Sequence, residues 1–89
     1  TILELPETDF LEVMSVTKKV AEAANKALYP DGINILQLNG EAANQVVPHL
    51  HVHIVPRWDG DGLSVSKWVP VQGDMEQIGQ IADKIKNSI

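Results

Sequence analysis

Between Pro6 and Leu28, apolar residues recur at spacings of three and four, which predicts one amphipathic helix. Pro6 suits a first helical turn, and the acidic residues Glu7 and Asp9 complement the positive end of the helix dipole. The sequence Tyr29-Pro30-Asp31-Gly32 ends the helix, because proline cannot continue it and the Asp-Gly pair turns the chain. We expect this helix to cover a sheet and to carry no chemistry.

Two short apolar segments after the helix predict strands, at Ile33–Leu38 and Val46–Pro56. The residues between them, Asn39–Gln45, are small or carry amides and predict a loop. Pro48 forces Val47 into an extended conformation and removes one backbone donor, which fits the edge or the start of a strand.

The last third of the chain predicts a turn, an irregular strand and a helix. Residues 57–62 are turn-rich, and residues 64–71 predict a short irregular strand. Asp74 is a good N-cap, and Gln77 completes a capping-box pattern. Apolar residues at helical spacing then predict a second amphipathic helix that runs to Ile89.

The order helix, strand, loop, strand, helix predicts an α+β fold, an antiparallel sheet flanked by helices. We interpret residues 1–89 as a single domain. Two strands make a marginal sheet, and so short a chain buries only about 60–65% of its unfolded surface. We therefore expect the fold to be completed by a missing N-terminal segment or by a partner chain.

The composition excludes several classes of protein. The net charge is −5, and the basic residues are scattered, so no basic surface is available for nucleic acid. No apolar run approaches the roughly 20 residues of a membrane span, and no signal-peptide pattern opens the chain. These features predict a cytoplasmic protein. The absence of cysteine excludes disulfides.

All three histidines lie within five residues, at positions 49, 51 and 53. Alternate residues of a strand point to one face, so His49, His51 and His53 are expected side by side. Three satisfied core histidines would be a costly arrangement, because each buried imidazole needs a hydrogen-bond partner. Two chemical interpretations stay open. The histidines form a metal site, or one of them is a nucleophile that its neighbours orient and protonate.

The metal interpretation has less support, because no HExxH, CxxC or paired carboxylate accompanies the histidines. For a nucleophile, one ring nitrogen must be free while the other is fixed by a hydrogen bond. His51 is best placed, with a histidine on each side. Transfer at phosphorus also needs donors around the developing negative charge, and the amides and backbone N–H groups of Asn39–Gln45 could supply them.

The run His49-Leu50-His51-Val52-His53-Ile54-Val55 resembles the histidine-triad signature, in which three histidines alternate with apolar residues. Its context is similar too, with Asn39-Gly40 before a small-residue loop, Gln45 ahead of the triad and Pro56-Arg57 after it. The resemblance extends over essentially the whole chain. It implies that residues 1–89 are the C-terminal catalytic portion of a histidine-triad domain.

The resemblance implies a role for each matching residue. His51 matches the nucleophile that forms a covalent nucleotidyl-histidine intermediate, and the backbone carbonyl of His49 holds its tautomer. His53 contacts the phosphate, and Asn39 lies near the family's polar phosphate-contacting residue. The loop residues Asn44, Gln45 and Val46 complete the implied substrate-binding set. The resemblance also implies a homodimer, and it places Trp68 in a stretch that approaches the partner's active site in some branches, although we favour a packing role.

Two departures from the family pattern bear on function. Asn44-Gln45-Val46 stands where the family usually has Gly-Gln-Ser or Gly-Gln-Thr, so Val46 lacks a hydroxyl donor. Losing one such donor costs roughly 10²–10³ in rate if it acts as an oxyanion donor. Asn44 replaces glycine in a left-handed conformation better than most residues. The family's domains also begin with a helix and strands that build the nucleoside pocket, and we expect a separate segment of the same protein or a partner chain to supply them.

These observations predict a nucleotide hydrolase or transferase that cleaves a nucleoside 5′-monophosphate from a phosphate or amine leaving group. Dinucleoside polyphosphates and nucleoside phosphoramidates are the expected substrates. No cofactor is expected, beyond a divalent cation that accompanies a polyphosphate substrate. The alternatives are a nucleotide-binding or regulatory module without turnover and, third, a metal-binding protein.

Overall fold

The computed structural model describes residues 1–64 and 71–89 of the chain. In chain order it contains helix α1 (Glu7–Leu28), strand β1 (Gly32–Leu36), a 3₁₀ turn (Glu41–Ala43), strand β2 (His53–Arg57) and helix α2 (Met75–Lys86). The predicted α+β arrangement, with an antiparallel sheet and two helices, is confirmed. The irregular strand predicted over residues 64–71 depends on residues 65–70, and these, with Trp68, lie outside the described residues.

Helix α1 packs through small side chains. The buried residues of the described chain are Thr17, Ala23 and Ala24, all on α1. The Thr17 hydroxyl donates to the carbonyl of Val13 at 2.8 Å, which satisfies its polar group inside the helix. Tyr29 ends the helix in the left-handed conformation, with φ of 50°. Its N–H donates to the carbonyl of Asn25 at 3.2 Å, so the chain turns sharply towards β1.

Strands β1 and β2 pair antiparallel over five residues, from Gly32 opposite Arg57 to Leu36 opposite His53. Both strands are shorter than the sequence predicted, and the extent given to the second one, Val46–Pro56, was wrong at its start. The chain leaves β1 after Leu36, so the residues that precede His53 extend beyond the end of the described ladder. Pro48 has no backbone N–H to donate to a neighbouring strand, so the segment that precedes His53 is poorly suited to extend the ladder.

Helix α2 begins where the sequence predicted. The Asp74 carboxylate accepts from the N–H groups of Glu76 and Gln77 at 3.0 and 3.3 Å, as an N-cap does. The helix ends at Lys86 rather than at Ile89. Helix α1 contacts both α2 and β2. Within residues 1–64 and 71–89, no helix is long and apolar enough to cross a membrane.

Candidate active site

The loop between the strands is closed by the carbonyl of Gly40. That oxygen accepts from the N–H groups of Ala43 and Gln45 at 3.1 and 3.0 Å. Gly40 itself has φ of 89°, which favours glycine. Asn44 has φ of 68° and its N–H donates to the carbonyl of Glu41 at 3.0 Å, so Asn44 adopts the left-handed conformation that its place in the glycine position required.

The Gln45 side chain connects both ends of this loop. Its Oε1 accepts from the N–H of Gly40 at 2.7 Å. Its Nε2 donates to the carbonyls of Val47 and His49 at 3.1 and 3.5 Å. The amide is therefore engaged with the backbone that leads into the three histidines.

The three histidine rings lie in a row. The centroids of His49 and His51 are 5.7 Å apart, and those of His51 and His53 are 4.7 Å apart, with the ring planes steeply inclined in both pairs. Only His53 belongs to β2, so the prediction that one strand carries all three was wrong. Residues 47–49 form a bend, in which the N–H of His49 donates to the carbonyl of Val47 at 2.9 Å, and residues 50–52 precede the ladder. The three rings nevertheless lie side by side, as expected.

Hydrogen bonds around His51 define its tautomer. Its Nδ1 lies 3.0 Å from the backbone carbonyl of His49, and a carbonyl only accepts, so Nδ1 carries the hydrogen and donates. The Nε2 of His51 then has a lone pair. The Nε2 of His53 lies 3.1 Å away and, in this arrangement, donates its hydrogen to that lone pair. The central histidine thus has one nitrogen fixed and one basic nitrogen directed at its neighbour.

The triad is accessible to solvent. His49 is exposed, whereas His51 and His53 are half-buried, so no ring is enclosed in an apolar interior. His49 Nδ1 makes a longer contact, 3.4 Å, to the carbonyl of Leu50. In the described part of the chain, no group of three His, Cys, Asp or Glu side chains is arranged to hold a metal ion.

The other predicted site residues differ in how they are placed. Asn39 is half-buried, and its Oδ1 accepts from the N–H of Ile2 at 2.7 Å and from Gln37 Nε2 at 3.0 Å. Asn39 Nδ2 donates to Gln37 Oε1 at 2.7 Å, which makes a reciprocal amide pair. Val46 is 89% exposed and presents an apolar side chain just ahead of the triad. Contact of Asn39, Asn44, Gln45 and Val46 with substrate stays a prediction.

A second polar cluster, which the sequence analysis did not identify, surrounds Arg57 at the end of β2 and includes the turn that follows. Arg57 donates Nε and Nη2 to the two carboxylate oxygens of Asp61, at 2.9 and 3.0 Å. It also donates to Asn34 Oδ1 at 2.7 Å and to the carbonyl of Leu63 at 2.8 Å. The sequence did contain a signal for this cluster, an Arg and an Asp four residues apart in a glycine-rich turn. Because four of the five guanidinium N–H groups are engaged, Arg57 organises the turn.

This turn also lines a surface hollow of about 430 Å³, formed by residues 31–32 and 57–63. The hollow and the triad lie at opposite ends of β2, and the ends of a five-residue strand are roughly 13 Å apart. In the hollow, the carboxylates of Asp31 and Asp61 already accept hydrogen bonds, from the N–H of Asp59 and from Arg57. At the triad, by contrast, two ring nitrogens face each other at 3.1 Å.

The comparisons with known proteins agree with this geometry. The HIT domain family matches residues 1–60. The chain belongs to the HIT family. An adenosine 5′-monophosphoramidase HNT1 of Candida albicans is 31% identical over 90 residues, 96% of this chain and 59% of that protein. An AP-4-A phosphorylase of Mycobacterium tuberculosis is 32% identical over 79 residues, 88% of this chain and 38% of that protein.

Solved HIT structures show the same fold. The crystal structure of a Hit-like protein from Bartonella henselae superposes with a TM-score of 0.82 at 31% identity, over 98% of this chain and 60% of that one. The chain therefore spans about 60% of the length of the Candida albicans and Bartonella henselae proteins. The sheet and helices described above form part of a HIT fold.

Proposed function

We propose that this HIT chain is the C-terminal catalytic portion of a nucleotide hydrolase or transferase, with His51 as its nucleophile. The observation that carries the proposal is the pairing of His51 Nδ1 with the carbonyl of His49 while His51 Nε2 faces His53. A nucleophilic imidazole needs one nitrogen fixed and the other basic and directed. His51 and His53 are half-buried and His49 is exposed, which supports access of a phosphate ester to the row of rings.

In the first step, His53 releases its hydrogen bond to His51 Nε2, and the freed lone pair attacks the phosphorus next to the nucleoside. The bond from phosphorus to the leaving group breaks, and its electron pair goes to the leaving group. An amine leaving group takes the Nε2 proton of His53 acting as an imidazolium, which becomes a neutral imidazole, whereas a phosphate leaving group departs without a proton. His51 keeps its Nδ1 hydrogen on the His49 carbonyl, which stabilises the positive ring that forms.

In the second step, water attacks the nucleotidyl-His51 adduct and releases a nucleoside 5′-monophosphate. After an amine has left, one proton of the water passes to His53 Nε2 and restores its hydrogen. After a phosphate has left, His53 still holds its hydrogen and the water proton goes to solvent. In both cases Nε2 of His51 regains its lone pair. HIT relatives named as a monophosphoramidase and as an AP-4-A phosphorylase support both kinds of leaving group, amine and phosphate.

The covalent adduct provides the test. The protein is mixed with an adenosine phosphoramidate, quenched in base within one turnover, and digested for mass spectrometry. We expect an adenylyl group on the peptide that contains His51, and none in the His51→Asn variant. Turnover by His51→Asn at the wild-type rate, or an adduct on a different residue, would refute the assignment.

A nucleotide-binding module without turnover is the second candidate, and Val46 is the observation that favours it. Its exposed isopropyl group offers no donor to a phosphate or to a leaving group. Binding of adenosine monophosphate in calorimetry, with no adduct and no product from either substrate class, would support this candidate over the enzyme.

A further inference from the structure

The side chain of Gln45 acts at both ends of the loop that delivers the triad. As an acceptor it holds the N–H of Gly40, at 2.7 Å, and as a donor it holds the carbonyls of Val47 and His49, at 3.1 and 3.5 Å. Only a carboxamide combines a fixed acceptor and a two-hydrogen donor in one neutral group. Asparagine has the same group but is one methylene shorter. Gln45 is half-buried, and its amide is directed at the backbone.

The carbonyl of His49 is the group through which Gln45 reaches the chemistry. This one oxygen accepts from Gln45 Nε2 and, at 3.0 Å, from His51 Nδ1. A carbonyl has two lone pairs, so both donors fit. If this carbonyl rotated away, His51 would lose the hydrogen bond that keeps the hydrogen on Nδ1 and the lone pair on Nε2.

We propose that Gln45 is a positioning residue, which fixes the tautomer of His51 by holding the His49 carbonyl. Its contact is with the carbonyl, and it acts on the reaction through His51 alone. The kinetic consequence rests on the proposed function, whereas the tautomer of His51 is a property of the free protein.

The variant Gln45→Glu separates the two halves of the side chain. It preserves the length and the acceptor for the Gly40 N–H, but it places a carboxylate oxygen where the donor stood. That oxygen cannot donate and repels the carbonyls of Val47 and His49. We expect histidine ¹⁵N correlation spectra to show His51 as the Nδ1–H tautomer in the wild-type protein, with a measurable Nε2–H fraction in the variant. We expect kcat to fall roughly tenfold, the effect of about one hydrogen bond, while KM stays within about twofold.

Two further variants make the result specific. Gln80→Glu makes the same chemical change on the exposed surface of α2, so it should leave both the tautomer and kcat unchanged. Gln45→Met is uncharged, of similar length and without polar atoms, so it should behave as Gln45→Glu does. Both Gln45 variants are expected to fold, because the carbonyl of Gly40 still closes the loop through the N–H groups of Ala43 and residue 45.

The outcomes separate the two claims. If Gln45→Glu and Gln45→Met keep the wild-type tautomer and the wild-type kcat, the positioning role is refuted and the proposed function is untouched. If the wild-type protein forms no adduct on His51, the proposed function is refuted, and a tautomer shift in both variants would still support the positioning role. A rise in KM without a change of tautomer would overturn the proposal, because it would make Gln45 a substrate ligand.

Discussion

At the scale of single residues, backbone atoms contribute as much to the candidate site as side chains do. The group that fixes His51 is the carbonyl of His49, not its ring. Asn44 shows how far the sequence alone reached, since its substitution for glycine predicted a left-handed residue and the structure has φ of 68° there. The family resemblance implied the role of the His49 carbonyl. The contacts of the Gln45 side chain were not predicted, because they depend on a loop geometry that backbone hydrogen bonds to the Gly40 carbonyl determine.

This division between ring and carbonyl predicts unequal effects of two substitutions. His49→Ala removes an exposed ring and keeps the carbonyl, so we expect kcat/KM to fall by no more than about tenfold, the scale of one net hydrogen bond. His51→Ala removes the nucleophile and should lower kcat/KM by about 10³ or more. Steady-state assays with an adenosine phosphoramidate measure both values. Equal losses in the two variants would show that the His49 ring takes part directly.

At the scale of elements, periodicity predicted helices better than strands. The boundaries of α1 and the start of α2 agree with the sequence, because Pro6, Pro30 and Asp74 terminate or cap a helix by local chemistry. The length of a strand depends on its partner. The segment Val46–Pro56 has strand-like alternation, yet only His53–Arg57 pairs, because β1 ends opposite His53. The alternation nevertheless predicted the row of histidine rings, although His49 lies in a bend and His51 precedes the ladder.

The turn after β2 predicts a pH-dependent stability. Hydrogen bonds from Arg57, then from the N–H groups of Leu63 and Trp58, hold the pKa of Asp61 well below its ordinary value of 3.8. A carboxylate with a lowered folded-state pKa stabilises the fold above its unfolded pKa, and that stabilisation is lost as the pH falls below 3.8. We expect Asp61→Asn to be less stable than the wild type at pH 7. The two free energies of unfolding should converge below about pH 4. In that range, unfolding of the wild type takes up about one more proton than unfolding of Asp61→Asn does.

Urea unfolding at several pH values measures this convergence. Asp83→Asn is the matched control, because it removes an exposed carboxylate from α2 and leaves the Arg57 cluster intact. The control should follow the wild-type curve more closely than Asp61→Asn does. A constant difference between wild type and Asp61→Asn across the pH range would contradict the role given to this ion pair.

At the scale of the whole molecule, much apolar surface is left uncovered. The chain exposes 6953 Å², whereas a compact protein of 9.8 kDa exposes roughly 5200 Å². Leu3, Val46 and Met75 are each at least 76% exposed. In the described residues only small side chains on α1 are buried, so the core contributes little hydrophobic stabilisation. These features agree with a chain that spans about 60% of its HIT relatives, and we propose that further HIT sequence or a second copy covers this surface.

The uncovered surface predicts how the 89-residue chain behaves by itself. We expect a broad, weakly cooperative urea transition and binding of an apolar dye, because two paired strands and two buried alanines cannot offset the conformational entropy of folding. Association of two copies through the apolar surface would raise the transition midpoint as the protein concentration rises, by mass action. Urea transitions at two concentrations a hundredfold apart, with sedimentation to determine mass, measure both effects. A steep transition that does not move with concentration, from a monomer that binds no dye, would contradict this prediction, because the exposed apolar side chains would then cost the fold nothing.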